Sequence, residues 1–278
     1  MRVTIVGASG LLGQALTREW SGDEIVGLCS RDVDIRDKGR VREVVAHSRP
    51  DWIVLAAAYT DVDGCESNQD LAFAVNRDGA ENVAEAAKHV GAKLVFLSSD
   101  YVFDGKKNSP YETEDKRNPQ SIYGRSKAEA EIMLLDVLPD CCIARTSWLF
   151  GAGGKCFPDT ILKLAASRPS LDVVDDQNGC PTYSTDLATA IMQLCRRDAS
   201  GIVHVTNSGN CSWFEFAREI VKCTGLPTEV RQVSSQQMAR PAPRPAYSVL
   251  SAKSLQSWGV ALPTWQDALA RYLHEREG

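Results

Sequence analysis

Residues Val3 to Leu16 read VTIVGASGLLGQAL. A short run of strand formers ends at Gly7, two further glycines stand at 10 and 13, and helix-forming residues take over from Leu11. A strand that enters a glycine turn and leaves as a helix gathers free backbone N–H groups and the positive end of the helix dipole at one point. That point is a seat for an anion, and the glycines let the backbone turn tightly and approach a pyrophosphate. The spacing is GxxGxxG rather than the commoner GxGxxG, so the glycines alone say little. Their place directly after a first strand predicts a dinucleotide site formed by Gly7, Ser9, Gly10, Leu11, Leu12 and Gly13.

The residues that follow repeat the pattern. Strands are expected at Val3–Val6, Ile25–Leu28, Trp52–Ala56, Lys93–Leu97 and Cys142–Thr146, with helices at Leu11–Trp20, Lys38–His47, Leu71–His89 and Ser126–Leu138. Continuous apolar strands alternating with helices predict an α/β fold, a Rossmann-type doubly wound parallel sheet with ligands at the carboxyl ends of its strands. After Phe150 the rhythm loosens. Helices are expected at Asp159–Ser167, Ser184–Arg196, Ser212–Thr224 and Thr264–Arg276, and strands in GIVHVTN and EVRQV. The expected organisation is a dinucleotide-binding domain over 1–150, rejoined by about 182–206, and a smaller α/β lobe over 151–278.

Composition limits the partners. A formal net charge of −5 and a pI near 5.5 leave no basic footprint for nucleic acid. Apolar stretches such as WIVLAAAY at 52–59 are too short to cross a bilayer, and MRVTIVGASG carries no separate apolar leader. The nine cysteines are odd in number and scattered, which suits buried thiols in a cytoplasmic protein better than a disulfide framework. No CxxC or His-rich cluster suggests zinc.

Two further stretches bear on chemistry. The second strand ends GLCSRDVD, with Ser30 and Arg31 at its tip, where an acid usually binds the ribose of NAD and an arginine accommodates the 2′-phosphate of NADP. The expected cofactor is therefore NADPH, with NADH also accepted because Asp32 follows at once; Asp34 and Ile35 are counted with this site. In SIYGRSK, residues 121–127, Tyr123 and Lys127 lie one helical turn apart with Cβ atoms roughly 5–6 Å apart. An ammonium at that distance is expected to lower the phenol's pKa and make it a usable proton donor.

GASGLLG, LAAAYTDVDGCE, VNRDGAENVAEAA, FLSSDYVFDG, SIYGRSKAEAE, RTSWLFG and DQNGCPT occur in that order, and RPAYSVL and PTWQDAL follow. Together they resemble the extended short-chain dehydrogenase/reductase family, and within it the branch that reduces dTDP-4-dehydrorhamnose. The resemblance implies a catalytic set of Ser99, Tyr123 and Lys127. Lys127 would also hold the nicotinamide ribose, Ala56, Ala57 and Ala58 would lie against the cofactor, and Asn76 would position backbone or water. It further implies that Thr60, Asp61, Val62, Tyr101, Trp148 and Arg244, with Ser99 and Tyr123, bind a nucleotide sugar. Some relatives bind Mg²⁺ through glutamates, one just after the glycine turn; Ala15 stands there, so no metal is expected. A homodimer is the assembly considered. Two rivals stand beside this reading. A 4,6-dehydratase or epimerase would place a second acid after Asp100, where this chain has Tyr101. A non-catalytic NADP-binding subunit, similar to the β subunit of methionine adenosyltransferase, would share SSDYVFDG and YxxxK but not RTSWLFG and DQNGCPT.

Overall fold

Strand β1 (Arg2–Val6) runs into the glycine turn and helix α1 (Leu11–Glu19) leaves it in the computed structural model, which describes residues 1–277. The alternation continues with β2 (Glu24–Leu28), α2 (Lys38–Ser48), β3 (Trp52–Leu55), α3 (Val62–Ser67), α4 (Gln69–Phe73), α5 (Gly79–Val90), β4 (Lys93–Ser99), α6 (Ile122–Val137) and β5 (Cys142–Thr146). Then come β6 (Leu149–Phe150), α7 (Phe157–Ala165), β7 (Ser170–Val174), β8 (Asn178–Gly179), β9 (Thr182–Tyr183) and α8 (Ser184–Arg196). The chain finishes with β10 (Gly201–His204), β11 (Cys211–Ser212), α9 (Trp213–Thr224), β12 (Glu229–Val233), α10 (Lys253–Ser257) and α11 (Trp265–Glu277).

Six parallel strands form the main sheet in the order β10-β5-β4-β3-β1-β2. The chain steps from β1 to β2 on one side and then to β3 on the other, so the order reverses at β1. The crevice beyond the carboxyl ends of β1 and β3 is the switch point where such sheets bind ligands. Alternate residues of each strand feed two cores. Val3 and Ile5 face Leu12 and Leu16 of α1 and Leu187, Ile191 and Leu194 of α8. Val6, Ile53 and Leu55 face Val41 and Val45 of α2, Val83 and Ala87 of α5, and Leu134 of α6. All four residues of β3 are buried, as a central strand covered on both faces requires.

The second lobe packs Phe150, Ile161, Leu171, Phe216, Leu269 and Tyr272 into a core of its own. β7 and β12 pair in parallel there, and β8 pairs with β11 antiparallel. The chain also returns to the first lobe: β10 pairs with β5, and α8 lies in the core beside α1. The nine cysteines are free thiols, and all but Cys29 and Cys223 are buried.

Helix ends shift by one or two residues in several places, and two helices differ by more, each for a local reason. The single helix expected over Leu71–His89 is broken by one turn of π-helix at Ala74–Asp78. That turn brings Asn76 onto the backbone of Tyr59, a contact a regular helix would not present. Helix α6 begins at Ile122, four residues before the expected Ser126. The Ser121 side chain accepts from Gly124 N and caps it, and Glu66 of α3 accepts from Ile122 N at 2.8 Å.

Candidate active site

The glycine turn is held by close packing that side chains would disrupt. A Cβ on Gly7, whose φ is +97°, would lie 2.5 Å from Ala57 N, and one on Gly13 would lie 2.1 Å from Gly7 O. Gly10 caps α1 without a side-chain hydrogen bond, so the amides of the first turn face the cleft. Gly7, Ser9, Gly10, Leu11, Leu12 and Gly13 all line this cleft of about 890 Å³. Ala56, Ala57 and Ala58 form the adjoining wall, where the amides of Ala56 and Ala57 both donate to Val6 O at 2.9 Å. This arrangement fits a dinucleotide: a free helix N-terminus for the pyrophosphate, and backbone bare of side chains where the cofactor must come close.

At the tip of β2, Ser30, Asp34 and Ile35 line the cleft, whereas Arg31, expected beside them, is exposed and is not part of its lining. Asp32 does not point at a ribose. Its Oδ2 accepts from the amide and thiol of Cys29, both at 2.8 Å, and these bonds hold its carboxyl below the usual range. Asp34 is paired with Arg36 at 2.5 Å.

Ser99, Tyr123 and Lys127 come together on one wall. Ser99 ends β4 opposite Thr146 of β5; its hydroxyl donates to Asp100 Oδ1 at 3.0 Å and accepts from Tyr101 N at 3.2 Å. Tyr123, in the first turn of α6, meets the ring of Tyr101 edge-on at 5.7 Å. Gly124 makes this possible, since a Cβ there would lie 2.2 Å from Tyr101 O. Lys127 sits one turn on, its Nζ 3.9 Å from the centroid of the Phe96 ring.

The electrostatics correct the expectation that Lys127 lowers the tyrosine pKa. Burial pushes the Tyr123 hydroxyl well above its ordinary range, with the Ser99 hydroxyl pulling the other way. Burial pushes the Lys127 ammonium down to about 7, opposed by Glu131. Desolvation is the largest influence on each, so both groups are neutral through much of the range just above neutrality.

Behind this wall a buried network fixes the register. Glu131 of α6 accepts from Ser98 of β4 at 2.5 Å, from Arg117 at 2.5 Å, and from Arg145 of β5 at 2.9 and 2.6 Å. Burial is the largest influence on Glu131, yet these donors hold its carboxyl below the ordinary range. Asn76 plays a matching part. Its amide exchanges bonds with Tyr59 N and O at 2.8 and 3.0 Å and donates to Ser126 at 3.0 Å, so it positions backbone from outside the cleft wall.

The opposite wall carries Trp148, stacked on Trp213 at 3.6 Å and 7°. Trp148 has φ +46°, and Gly179 leaves room for its indole, since a Cβ there would fall 2.4 Å from Trp148 Cε2. Thr60, Val62 and Tyr101 also line the cleft. Two expected ligand residues are occupied elsewhere. Asp61 caps α3 by accepting from Gly64 N at 2.9 Å. Arg244 forms a two-pronged pair with Asp63, both bonds 2.9 Å, so its fork is already filled by a carboxylate on the first turn of α3.

Sequence reasoning missed Trp213 and Lys155, which both line the cleft. Lys155 was findable: GAGGK is a second glycine-rich stretch with a cation after it. The loop is tied to the glycine turn by Gln14, whose Nε2 donates to Ser9 O and Gly153 O, each at 2.8 Å. Trp213 gives no local signal, because it opens an amphipathic helix where an aromatic is ordinary. Among the described residues no group of three or more His, Cys, Asp or Glu is arranged to hold a metal ion, and no helix is long and apolar enough to cross a membrane.

Residues 1–277 match the family described as RmlD substrate binding domain. The chain is 42% identical over 277 residues to the spore coat polysaccharide biosynthesis protein SpsK of Bacillus subtilis, covering 99% of this chain and 98% of that one. It is 41% identical over 282 residues to a dTDP-4-dehydrorhamnose reductase of Mycobacterium tuberculosis, covering 98% and 92%. A crystal structure of dTDP-4-dehydrorhamnose reductase from Bacillus anthracis in complex with NADP superposes with a TM-score of 0.96 at 39% identity, covering 99% of each chain.

Proposed function

Since the chain belongs to the RmlD substrate binding domain family, we propose that it reduces the C4 ketone of dTDP-4-dehydro-L-rhamnose to the alcohol of dTDP-L-rhamnose, using NADPH. The observation that carries this reading is the convergence of Ser99, Tyr123 and Lys127 on the same cleft as an uncapped helix N-terminus behind a glycine turn. When bound, NADPH supplies the hydride that goes to C4.

The chain's own residues do the rest. The amides opening α1 hold the pyrophosphate, Ala56 to Ala58 leave the cofactor its space, and Arg31 reaches the 2′-phosphate from the rim. Asp32, turned back onto Cys29, offers no competing carboxylate to a ribose. Negative charge grows on the ketone oxygen as reduction proceeds. Ser99 is the hydrogen-bond donor to that oxygen, and Tyr123 delivers the proton that completes the alcohol. A phenol whose pKa burial has raised keeps its proton until an alkoxide, a far stronger base, is in front of it. Lys127 in its protonated form then offsets the negative charge on the tyrosine oxygen and passes a proton back to it, and Lys127 is reprotonated from solvent between turnovers.

Trp148 and Trp213, stacked as one slab, close the far side of the sugar pocket. Tyr101 stands where elimination of water would need a second acid, so the site suits reduction rather than dehydration. The test is direct. The purified protein is given NADPH and dTDP-4-keto-6-deoxyglucose in the presence of a 3,5-epimerase. NADPH oxidation with dTDP-L-rhamnose as the product by NMR is expected. NADPH binding without any consumption would overturn the reading in favour of a non-catalytic subunit.

A further inference from the structure

Asp100 follows Ser99 and opens a 3-10 turn, Asp100–Val102, on the cleft wall, and is 1% exposed. Its Oδ1 receives the Ser99 hydroxyl proton at 3.0 Å. Its Oδ2 has no hydrogen-bond partner among the described residues. The Ser248 hydroxyl, whose contact with Asn178 O is 3.4 Å, faces the same carboxyl and, with the Ser99 hydroxyl and the amides of Asp100 and Tyr101, works against the effect of burial. The titratable groups facing Asp100 are Tyr101 in its own turn, Tyr123 on α6 and Cys180 between β8 and β9. None of them is cationic, and Asp100 makes no salt bridge among the described residues. A carboxylate so placed is disfavoured, and burial pushes the Asp100 carboxyl up to about 6.

A serine hydroxyl has one proton to give. While Asp100 is ionised, that proton is held by Oδ1 and Ser99 turns only lone pairs toward the cleft. Lone pairs repel the charge that grows on a ketone oxygen. Swinging the hydroxyl away would take a bond from a buried carboxylate that already lacks one. A protonated carboxyl reverses the bond and frees the serine proton.

We propose that Asp100 carries a proton while the ketone is reduced and donates a hydrogen bond to Ser99 Oγ, so that the Ser99 hydroxyl points proton-first at the substrate's carbonyl oxygen. No covalent bond changes at Asp100: its proton stays on the carboxyl, and the proton of the product alcohol comes from Tyr123. Asp100 is thus a positioning residue acting through Ser99, and the inference rests on the reductase reading above.

The experiment compares kcat/KM for the 4-keto sugar from pH 5 to 9 in the wild type, Asp100→Asn and Asp100→Ala. In the wild type activity falls above pH 6 as Asp100 ionises, and again above 7 as Lys127 loses its proton, giving a limiting log–log slope of about −2. The asparagine amide donates to Ser99 at every pH. Asp100→Asn is expected within about threefold of wild type at pH 6, with a limiting slope of about −1 and the higher activity of the two at pH 8. Asp100→Ala, with nothing to orient the serine, should lose about tenfold or more at pH 6 and share the shallower limiting slope of about −1, with NADPH binding by fluorescence titration unchanged in all three. An asparagine variant that keeps the steeper fall, or is as slow as the alanine variant at pH 6, overturns the proposal. Should that variant fail to fold, infrared spectra of the wild type with NADPH and product decide: a carboxylic-acid C=O band that shifts with labelled aspartate supports it, and its absence overturns it. A wild type that never turns over would instead sink the reductase reading itself.

Discussion

Replacing Lys127 by methionine should stabilise the ligand-free protein while removing most of its activity. Lys127 is 2% exposed and its Nζ lies over the Phe96 ring at 3.9 Å, so methionine retains most of the stem's packing and removes the buried charge. Burial moves the ammonium from its ordinary 10.5 to about 7. At 1.36 kcal/mol for each tenfold change in proton affinity, this corresponds to about 5 kcal/mol against the folded state when lysine is charged. Lys127 borders the cleft, where local rearrangement can relieve part of this cost, so an observed gain of about 2–4 kcal/mol is expected for Lys127→Met at pH 7. The sign with pH follows from the depressed folded value. Between about 7 and 10.5 the unfolded chain binds more protons than the folded one, so the wild type gains stability as pH rises and the advantage of methionine shrinks. Urea unfolding at pH 7, 8 and 9, followed by tryptophan fluorescence, reads this as a shift in midpoint at constant slope. A midpoint below wild type at pH 7, or an advantage that stays constant to pH 9, would refute the reasoning.

Other outcomes follow from the same geometry. Tyr123→Phe should lower kcat by about 10²–10⁴, the usual worth of a placed proton donor, with the Kd for NADPH held; turnover at the wild-type rate would make Tyr123 a wall residue only. Arg31→Ala should erase an NADPH-over-NADH preference of about tenfold in kcat/KM, the modest figure reflecting its exposure, and an unchanged ratio would leave Arg31 in solvent. Gly124→Ala should destabilise by about 1–3 kcal/mol despite alanine's better helix propensity, because its Cβ would press on Tyr101 O; thermal melts would show the loss. Activity should be indifferent to chelation, and a loss on EDTA treatment reversed by Mg²⁺ would disprove that.

The sheet was legible because its strands are unbroken apolar runs. A segment such as WIVL at 52–55 has no polar face to present to water, so it belongs between two layers of helix. That Tyr123 and Lys127 share a wall was legible because their spacing is one helical turn, whereas Ser99 joined them only through the family resemblance. What escaped depends on distant partners. The π turn at Ala74–Asp78 is set by Asn76 reaching Tyr59 and Ser126, while the hydrophobic period through the segment runs on as if nothing happened. Arg244 read as a free fork because its carboxylate, Asp63, lies 181 residues earlier. Trp148 and Trp213 form one slab only once the second lobe folds over the first. The opposed shifts of Tyr123 and Lys127 are properties of burial, which spacing does not report.

The late arrival of β10 shapes how the chain can be made. β5 is complete at Thr146, but the strand that covers its outer edge begins only at Gly201. During synthesis, therefore, the nascent sheet emerges with a row of unsatisfied peptide groups along β5, open to pairing with a neighbouring chain until residues beyond His204 have left the ribosome. All of residues 147–200 must be made before that edge is sealed, a long-range closure of the kind that slows folding. A fragment ending near residue 150 would keep the glycine turn and the tyrosine–lysine helix yet lack β10 and α8. It should aggregate rather than fold as a small cofactor-binding half.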